Sequence, residues 1–133
     1  MSGYDWPVRV YYEDTDAGGV VYHTSYIRYF ERARTEWLRS LGYSQARLVE
    51  EEKLLFSVVS LDIRYLRPAR LDDLLVVRTR VLENSGVRVN FGQEVLREAD
   101  GVSLVQGSVS VACLEATGMR PQRMPAGLRE AMS

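Results

Sequence analysis

The sequence predicts an α+β domain: one long helix laid on one face of a five-stranded antiparallel sheet. Three observations predict it. Apolar residues recur every three or four positions over one stretch only, from about Thr24 to Leu41. They recur at every second position over several later, valine-rich stretches. Turn sequences carrying glycine, asparagine or aspartate separate those stretches. The 133 residues suit a single domain over 1–133, with a core over about 7–117 and a C-terminal tail over about 118–133.

The elements follow in order. Val8-Arg9-Val10-Tyr11-Tyr12 alternates weakly and reads as a short first strand. A loop rich in acids and glycines comes next. Tyr26, Phe30, Ala33, Trp37 and Leu41 then form one apolar stripe, while Arg28, Arg32, Glu36 and Arg39 fall mostly off it. Thr24 or Ser25 is expected to cap this helix and Gly42 to end it. A short second helix is expected over Ser44 to Glu51. Val59, Leu61, Ile63 and Tyr65 alternate with Ser60, Asp62 and Arg64 as a strand. Leu75 to Leu82, Val87 to Arg97 and Val102 to Leu114 read as three more. Asn84-Ser85-Gly86 and Ala99-Asp100-Gly101 join those three into an antiparallel meander. The tail from Thr117, with Pro121 and Pro125, is expected to be loosely held. An open sheet has two edges to manage, and edge-to-edge pairing in a dimer removes one of them.

Composition excludes several classes. The formal net charge is −1, which gives no electrostatic reason to expect nucleic acid or an anionic membrane as partner. Lys53 is the sole lysine among 17 basic residues, an imbalance that suits genomic composition bias. The single cysteine, Cys113, excludes an intrachain disulfide and fits a reducing compartment. The opening MSGYDWPVRV has no basic region followed by a long apolar run, and no stretch has the length of a membrane span. These features predict a cytoplasmic protein without stable membrane insertion.

The run EDTDAGGVVYHTSYIRYFERAR, residues 13 to 34, places three acids, two glycines and the only histidine beside the start of the long helix. A calcium loop fits poorly. Gly18 stands at the fifth position of such a loop, and Ser25 stands at the twelfth, where a bidentate glutamate is needed. An aspartyl-phosphate phosphatase fits no better, because its pattern requires threonine or valine where Gly18 stands. A third chemistry does fit. Free N–H groups at a helix start attract negative charge. Glycines let backbone approach a ligand. A carboxylate just upstream can attack or activate water. That is the layout of an acyl hydrolase. The residues alone leave Asp16 two roles: that carboxylate, or an Asx-turn aspartate before glycines.

Tyr12-Glu13-Asp14-Thr15-Asp16-Ala17-Gly18-Gly19-Val20-Val21-Tyr22-His23, with Ser25-Tyr26 and Phe30-Glu31-Arg32-Ala33-Arg34, resembles the YbgC-type acyl-CoA thioesterases. These belong to the 4-hydroxybenzoyl-CoA thioesterase branch of the hotdog fold. Tyr65-Leu66-Arg67-Pro68-Ala69 and Asp72-Asp73 extend the resemblance, which covers about residues 7 to 117. It implies an antiparallel sheet wrapped around the long helix, a homodimer or homotetramer, sites at the subunit interface, and no metal or prosthetic cofactor, coenzyme A being part of the substrate. It also implies acyl-CoA as substrate, acyl carrier protein as a candidate partner, and an association with the Tol-Pal envelope system.

By the same resemblance Asp16 is the catalytic carboxylate, and the backbone N–H of His23 polarises the thioester carbonyl. The His23 imidazole is a second catalytic candidate. Tyr12 and Gly19 are candidates for the substrate-binding wall, with core or interface the competing place for a strand tyrosine. Arg64, Arg67 and Arg88 are candidates for contacts to coenzyme A phosphates, with ordinary exposed strand positions the competing reading. Glu13 and Asp14 read as loop structure or solvated charge. Cys113 follows Val109 and Val111 on one strand face and reads as a small core residue rather than a thiol partner of His23. The competing reading from another class is a non-catalytic module that binds acyl-CoA or acyl carrier protein, which needs no carboxylate beside an electrophilic carbon. A hotdog dehydratase is a third reading, but it places its histidine elsewhere.

Overall fold

Alternation along the chain builds one antiparallel sheet. Its strands are β1 (Gly3–Arg9), β2 (Leu54–Tyr65), β3 (Leu74–Asn84), β4 (Arg88–Arg97) and β5 (Ser103–Glu115). The structure is a computed structural model and describes residues 3–133; Met1 and Ser2, the first two residues of the stretch read as lacking a leader, lie outside the described residues. The strand order is β1-β3-β4-β5-β2 with every neighbouring pair antiparallel, so β3, β4 and β5 form the predicted meander and β1 and β2 are its edges. Gly86 and Gly101 take φ of +87° and +71° at the two meander turns, a conformation in which a Cβ is strained.

Helix α1 (His23–Ser40) lies on one face of this sheet. Tyr26, Tyr29, Phe30, Ala33 and Trp37 are buried against strand residues that include Val77, Phe91 and Val109. The closest approach is at Gly107 of β5. A Cβ there would stand 2.6 Å from the Phe30 ring, so the absent side chain is the space the ring occupies.

Several boundaries differ from the sequence expectation, each for a local reason. β1 ends at Arg9, because the Asp14 carboxylate accepts the Tyr11 N–H at 2.8 Å and draws Tyr12–Asp14 into a tight helical turn. Neither Thr24 nor Ser25 caps α1; Tyr22 holds the cap position without a side-chain bond. The Ser25 hydroxyl donates instead to the Asp14 carbonyl at 3.1 Å. The second helix is a short turn, α2 (Gln45–Arg47), that widens over Leu48–Glu52. β2 begins at Leu54, five residues before the alternation becomes legible.

The tail is not loosely held. Its backbone bonds back to the sheet through Gln122 N–H to the Cys113 carbonyl at 3.0 Å and Met124 N–H to the Gly86 carbonyl at 2.8 Å. Helix α3 (Ala126–Ala131) then sets Met124, Leu128 and Met132 into the core. Because Leu128 is fully buried, Leu128→Ala is expected to cost about 2–5 kcal/mol. Thermal unfolding followed by circular dichroism checks this; an unchanged Tm would make the tail peripheral. Cys113 is likewise buried in the core, and burial pushes its thiol up to about 11. That makes it an inert packing residue.

Candidate active site

The connection from β1 to α1 folds back on itself. Thr15 pairs with Val21, and the Asp16 N–H donates to the Val20 carbonyl at 2.9 Å. Gly19 N–H returns to the Asp16 carbonyl at 3.1 Å, and Gly19 takes φ of +78°, so the turn needs a residue without a Cβ at that point. The hairpin is docked on the β2–β3 connection. Val20 pairs with Arg70, and Val21 N–H donates to the Ala69 carbonyl at 2.9 Å.

Asp16 stands at the head of this turn. One carboxylate oxygen, Oδ1, accepts the Gly18 N–H at 2.8 Å, and a Cβ on Gly18 would come within 3.2 Å of it. The other oxygen accepts no hydrogen bond from the described residues, and the residue is exposed. The Asx-turn and a free carboxylate oxygen therefore coexist, and the turn fixes the direction in which the free oxygen is presented.

The same hairpin delivers the chain into α1. Ser25 N–H bonds back to the Tyr22 carbonyl at 2.8 Å, whereas the N–H groups of His23 and Thr24 meet no acceptor among the described residues. The first turn carries no acid. The positive end of the helix dipole, roughly half a unit charge, is thus left uncompensated there.

Buried Asp14 ties the two parts together. Its carbonyl accepts the Tyr22 N–H at 2.8 Å and the Ser25 hydroxyl at 3.1 Å, in addition to the carboxylate bond to Tyr11. Asp14 is therefore loop structure rather than solvated charge, whereas Glu13 is exposed. Tyr29, fully buried beneath, has a hydroxyl with no hydrogen-bond partner among the described residues. Burial, and then the nearby Asp14 carboxylate, push its pKa well up, so it stays neutral.

An apolar cleft of about 240 Å³ borders the helix start, lined by Val21, Tyr26, Tyr65, Leu66, Arg67 and Pro68. The Tyr26 hydroxyl accepts the Ala69 N–H at 2.9 Å, and the Tyr65 hydroxyl donates to the His23 carbonyl at 3.0 Å. The His23 ring is exposed, 4.5 Å from the Tyr22 ring and edge-on to Tyr65 at 6.3 Å.

Asp16 and Gly19 lie in the hairpin and His23 opens α1 two residues after it, whereas Arg67 lines the neighbouring cleft with Val21 and Tyr26. Tyr12 stands at the mouth of the same loop and is 82 % exposed. Arg64 lies three positions before Arg67 on β2, exposed, at the register position opposite Gln106. Arg88 lies at the other end of the sheet. It pairs with Ala112, seven residues along β5 from Val105, the partner of Tyr65. That is about 23 Å at the usual strand rise. Tyr65 and Tyr26 form the cleft wall although neither was a site candidate by sequence; the signal was Tyr65-Leu66-Arg67-Pro68-Ala69, an aromatic residue at a strand end followed by a bend. Among the described residues no group of three or more His, Cys, Asp or Glu side chains is placed to hold a metal ion.

A family model described as the thioesterase-like superfamily matches residues 10–132. The acyl-CoA thioesterase YbgC of Haemophilus influenzae is 48 % identical over 130 residues, covering 98 % of this chain and 94 % of that one. The acyl-CoA thioester hydrolase YbgC of Escherichia coli O6:H1 is 45 % identical over 120 residues, covering 90 % and 88 %. Among solved structures, one described as a probable thioesterase from Bartonella henselae superposes with a TM-score of 0.86 at 38 % identity, covering 93 % of this chain and all of that one.

Proposed function

The chain belongs to the thioesterase-like superfamily, with the hotdog fold, and within it to the YbgC-type acyl-CoA thioesterases, and we propose that it hydrolyses acyl-CoA at the Asp16 hairpin. One observation carries this reading: the turn that fixes Asp16 with one free carboxylate oxygen also delivers an uncapped helix start. The thioester carbonyl binds against the α1 start. The His23 N–H and the helix dipole take up the negative charge that develops on its oxygen. Losing one such donor costs about 3–4 kcal/mol in other hydrolases. The free Asp16 oxygen drives the addition, with its own lone pair or through a water it deprotonates. In both routes the C–S bond breaks and the coenzyme A sulfur leaves and takes up a proton. When water attacks, the acid is released at once; when Asp16 attacks, the acyl–Asp16 anhydride that forms is cleaved by water to the acid and the free carboxylate. Single turnover in isotope-labelled water separates the two routes: label in the Asp16 carboxylate marks direct attack.

The test of the function is a hydrolysis screen across short, long and aromatic acyl-CoA thioesters, read as released coenzyme A. Turnover of at least one class is expected. Binding without turnover of any class would favour the acyl-CoA or acyl-carrier-protein binding module instead. Chelation is expected to leave activity intact, since the proposed steps use no metal or other cofactor. Complete loss with EDTA, restored by a divalent ion, would overturn the mechanism.

The proposal includes a homo-oligomer, at least a dimer, joined through the β2 edge. Val58 and Leu61 of β2 are 49 % and 37 % exposed, although their register partners Val111 and Val109 are buried. An apolar, unpaired edge is what a second copy would cover. Antiparallel pairing of two β2 edges lays the Phe56 end of one sheet beside the Tyr65 end of the other. That shifts Arg88 of one copy toward the site of its neighbour, where a coenzyme A phosphate could meet it. Sedimentation is expected to show a dimer or tetramer at assay concentration; a folded, active monomer would refute this. We place the enzyme in the cytoplasm, with acyl carrier protein as a candidate thioester carrier; among the described residues no helix is long and apolar enough to cross a membrane.

A further inference from the structure

We propose that Gln93, with Thr79 and Arg34, is a positioning clasp that sets where the α1 start stands relative to Asp16. The inference rests on the reading of that helix start as the carbonyl site. Gln93 lies on the core-facing side of β4 and is 3 % exposed; Thr79 of β3, beside it, is fully buried. The Gln93 amide group donates to the Phe30 carbonyl at 3.0 Å and to the Thr79 hydroxyl at 2.9 Å. Its oxygen accepts from Arg34 at 2.9 Å. Phe30 and Arg34 are one helical turn apart on one face of α1. One strand side chain thus grips the helix at two points, a main-chain carbonyl and a side chain.

This arrangement has little to offer stability. A buried amide gives up hydration that its new bonds roughly replace, so an apolar residue of the same shape would serve as well. What directed bonds add is position. The apolar contacts of Tyr29, Phe30, Ala33 and Trp37 carry no direction and tolerate a small slide or roll of the helix, whereas a satisfied polar network selects one register. The two halves of the site hang on different supports. The Asp16 hairpin is docked on Ala69 and Arg70, between β2 and β3. The helix is tied to the sheet at its start by Tyr65 of β2 and, about 10 Å further along at 1.5 Å per residue, by Gln93 of β4. A helix is stiff over two turns, so a shift at Phe30 is passed to the His23 N–H. Misplacement of a reacting group by about 1 Å can cost about 100-fold in rate.

The test is the double variant Gln93→Met, Thr79→Val, which removes the clasp without leaving either partner of the Gln93–Thr79 bond unpaired. Measured are Tm, kcat, and the Kd of a non-hydrolysable thioether analogue of the best acyl-CoA substrate. The expected result is kcat lowered about 10- to 100-fold, with the analogue's Kd close to wild type and Tm lowered only as far as the loss of the Arg34 acceptor requires. A folded variant with unchanged kcat, or a fall in kcat matched by the same fall in analogue binding, would overturn the proposal. Should the double variant not fold, Arg34→Met carries the test at the less buried end of the clasp, with a smaller fall in kcat at unchanged Kd expected and an unchanged kcat contradicting it. Asp16→Asn in the same assay separates the two claims. If Asp16→Asn is inactive and the clasp variant fully active, only the clasp falls; if Asp16→Asn is also active, the reading of the site falls with it.

Discussion

Asp16→Asn is expected to lower kcat by about 1,000-fold or more while the fold and acyl-CoA binding persist, an effect of the size that removing a group active only in the transition state produces. Asparagine keeps the side-chain oxygen that accepts the Gly18 N–H at 2.8 Å, so the turn survives. It removes the negative charge and the free basic oxygen. His23→Ala is expected to cost less, about 10- to 1,000-fold, the range general acid–base groups supply. The backbone N–H stays in place, and so does the carbonyl that holds the Tyr65 hydroxyl. Steady-state kinetics on the best substrate of the screen decides the ranking. Were Asp16→Asn nearly active and His23→Ala inactive, the imidazole would be the base and Asp16 a turn residue only.

The largest effect on stability is expected at Phe30. Its ring is fully buried and fills the space left by Gly107, so Phe30→Ala removes a large apolar group and opens a cavity beneath the strand. The expected loss is about 3–5 kcal/mol, a large share of the roughly 5–15 kcal/mol that separates folded from unfolded states in small domains. The same contact predicts a second result. Gly107→Ala drives a methyl into the ring and is expected to cost about 1–3 kcal/mol. Combined with Phe30→Leu it should cost less than the sum of the two single changes, because the smaller side chain clears the space. Urea unfolding of these four variants against the wild type checks both. Strict additivity would mean that Gly107 and Phe30 do not share the space.

How much of this was legible depended on the range of the forces involved. The stripe Tyr26, Phe30, Ala33, Trp37 gave α1 because burial on one face leaves a local period. The meander turns were legible because Gly86 and Gly101 sit where φ is positive. The helix cap was not, since the Ser25 hydroxyl is taken by a carbonyl eleven residues earlier, and no local rule sees that competitor. The tail was missed because six helical residues give little periodicity, although Met124, Leu128 and Met132 already stand four apart. In the site, Asp16, Gly19 and His23 fall within eight consecutive residues, so a motif could carry them. Tyr65 reaches His23 across 42 residues, and the separation of Arg88 from the hairpin follows from the strand register. The Gln93 clasp was half legible: alternation with Val89, Phe91 and Val95 puts it on the core face, but its partners Phe30 and Arg34 lie 63 and 59 residues away on another element.

The central claim is that the thioester carbonyl is polarised by the start of α1. It is tested most directly by the vibrational spectrum of the bound substrate. Asp16→Asn, loaded with an acyl-CoA carrying an isotope-labelled carbonyl, holds the thioester uncleaved while keeping the His23 N–H and the helix dipole. Difference spectroscopy against the unlabelled complex isolates the C=O stretch. Hydrogen bonding and a positive field at the oxygen weaken that bond, so the account predicts a stretch at clearly lower frequency than for the same thioester free in water. A bound carbonyl at the free frequency or above it would contradict the claim, because the oxygen would then lie away from the helix start.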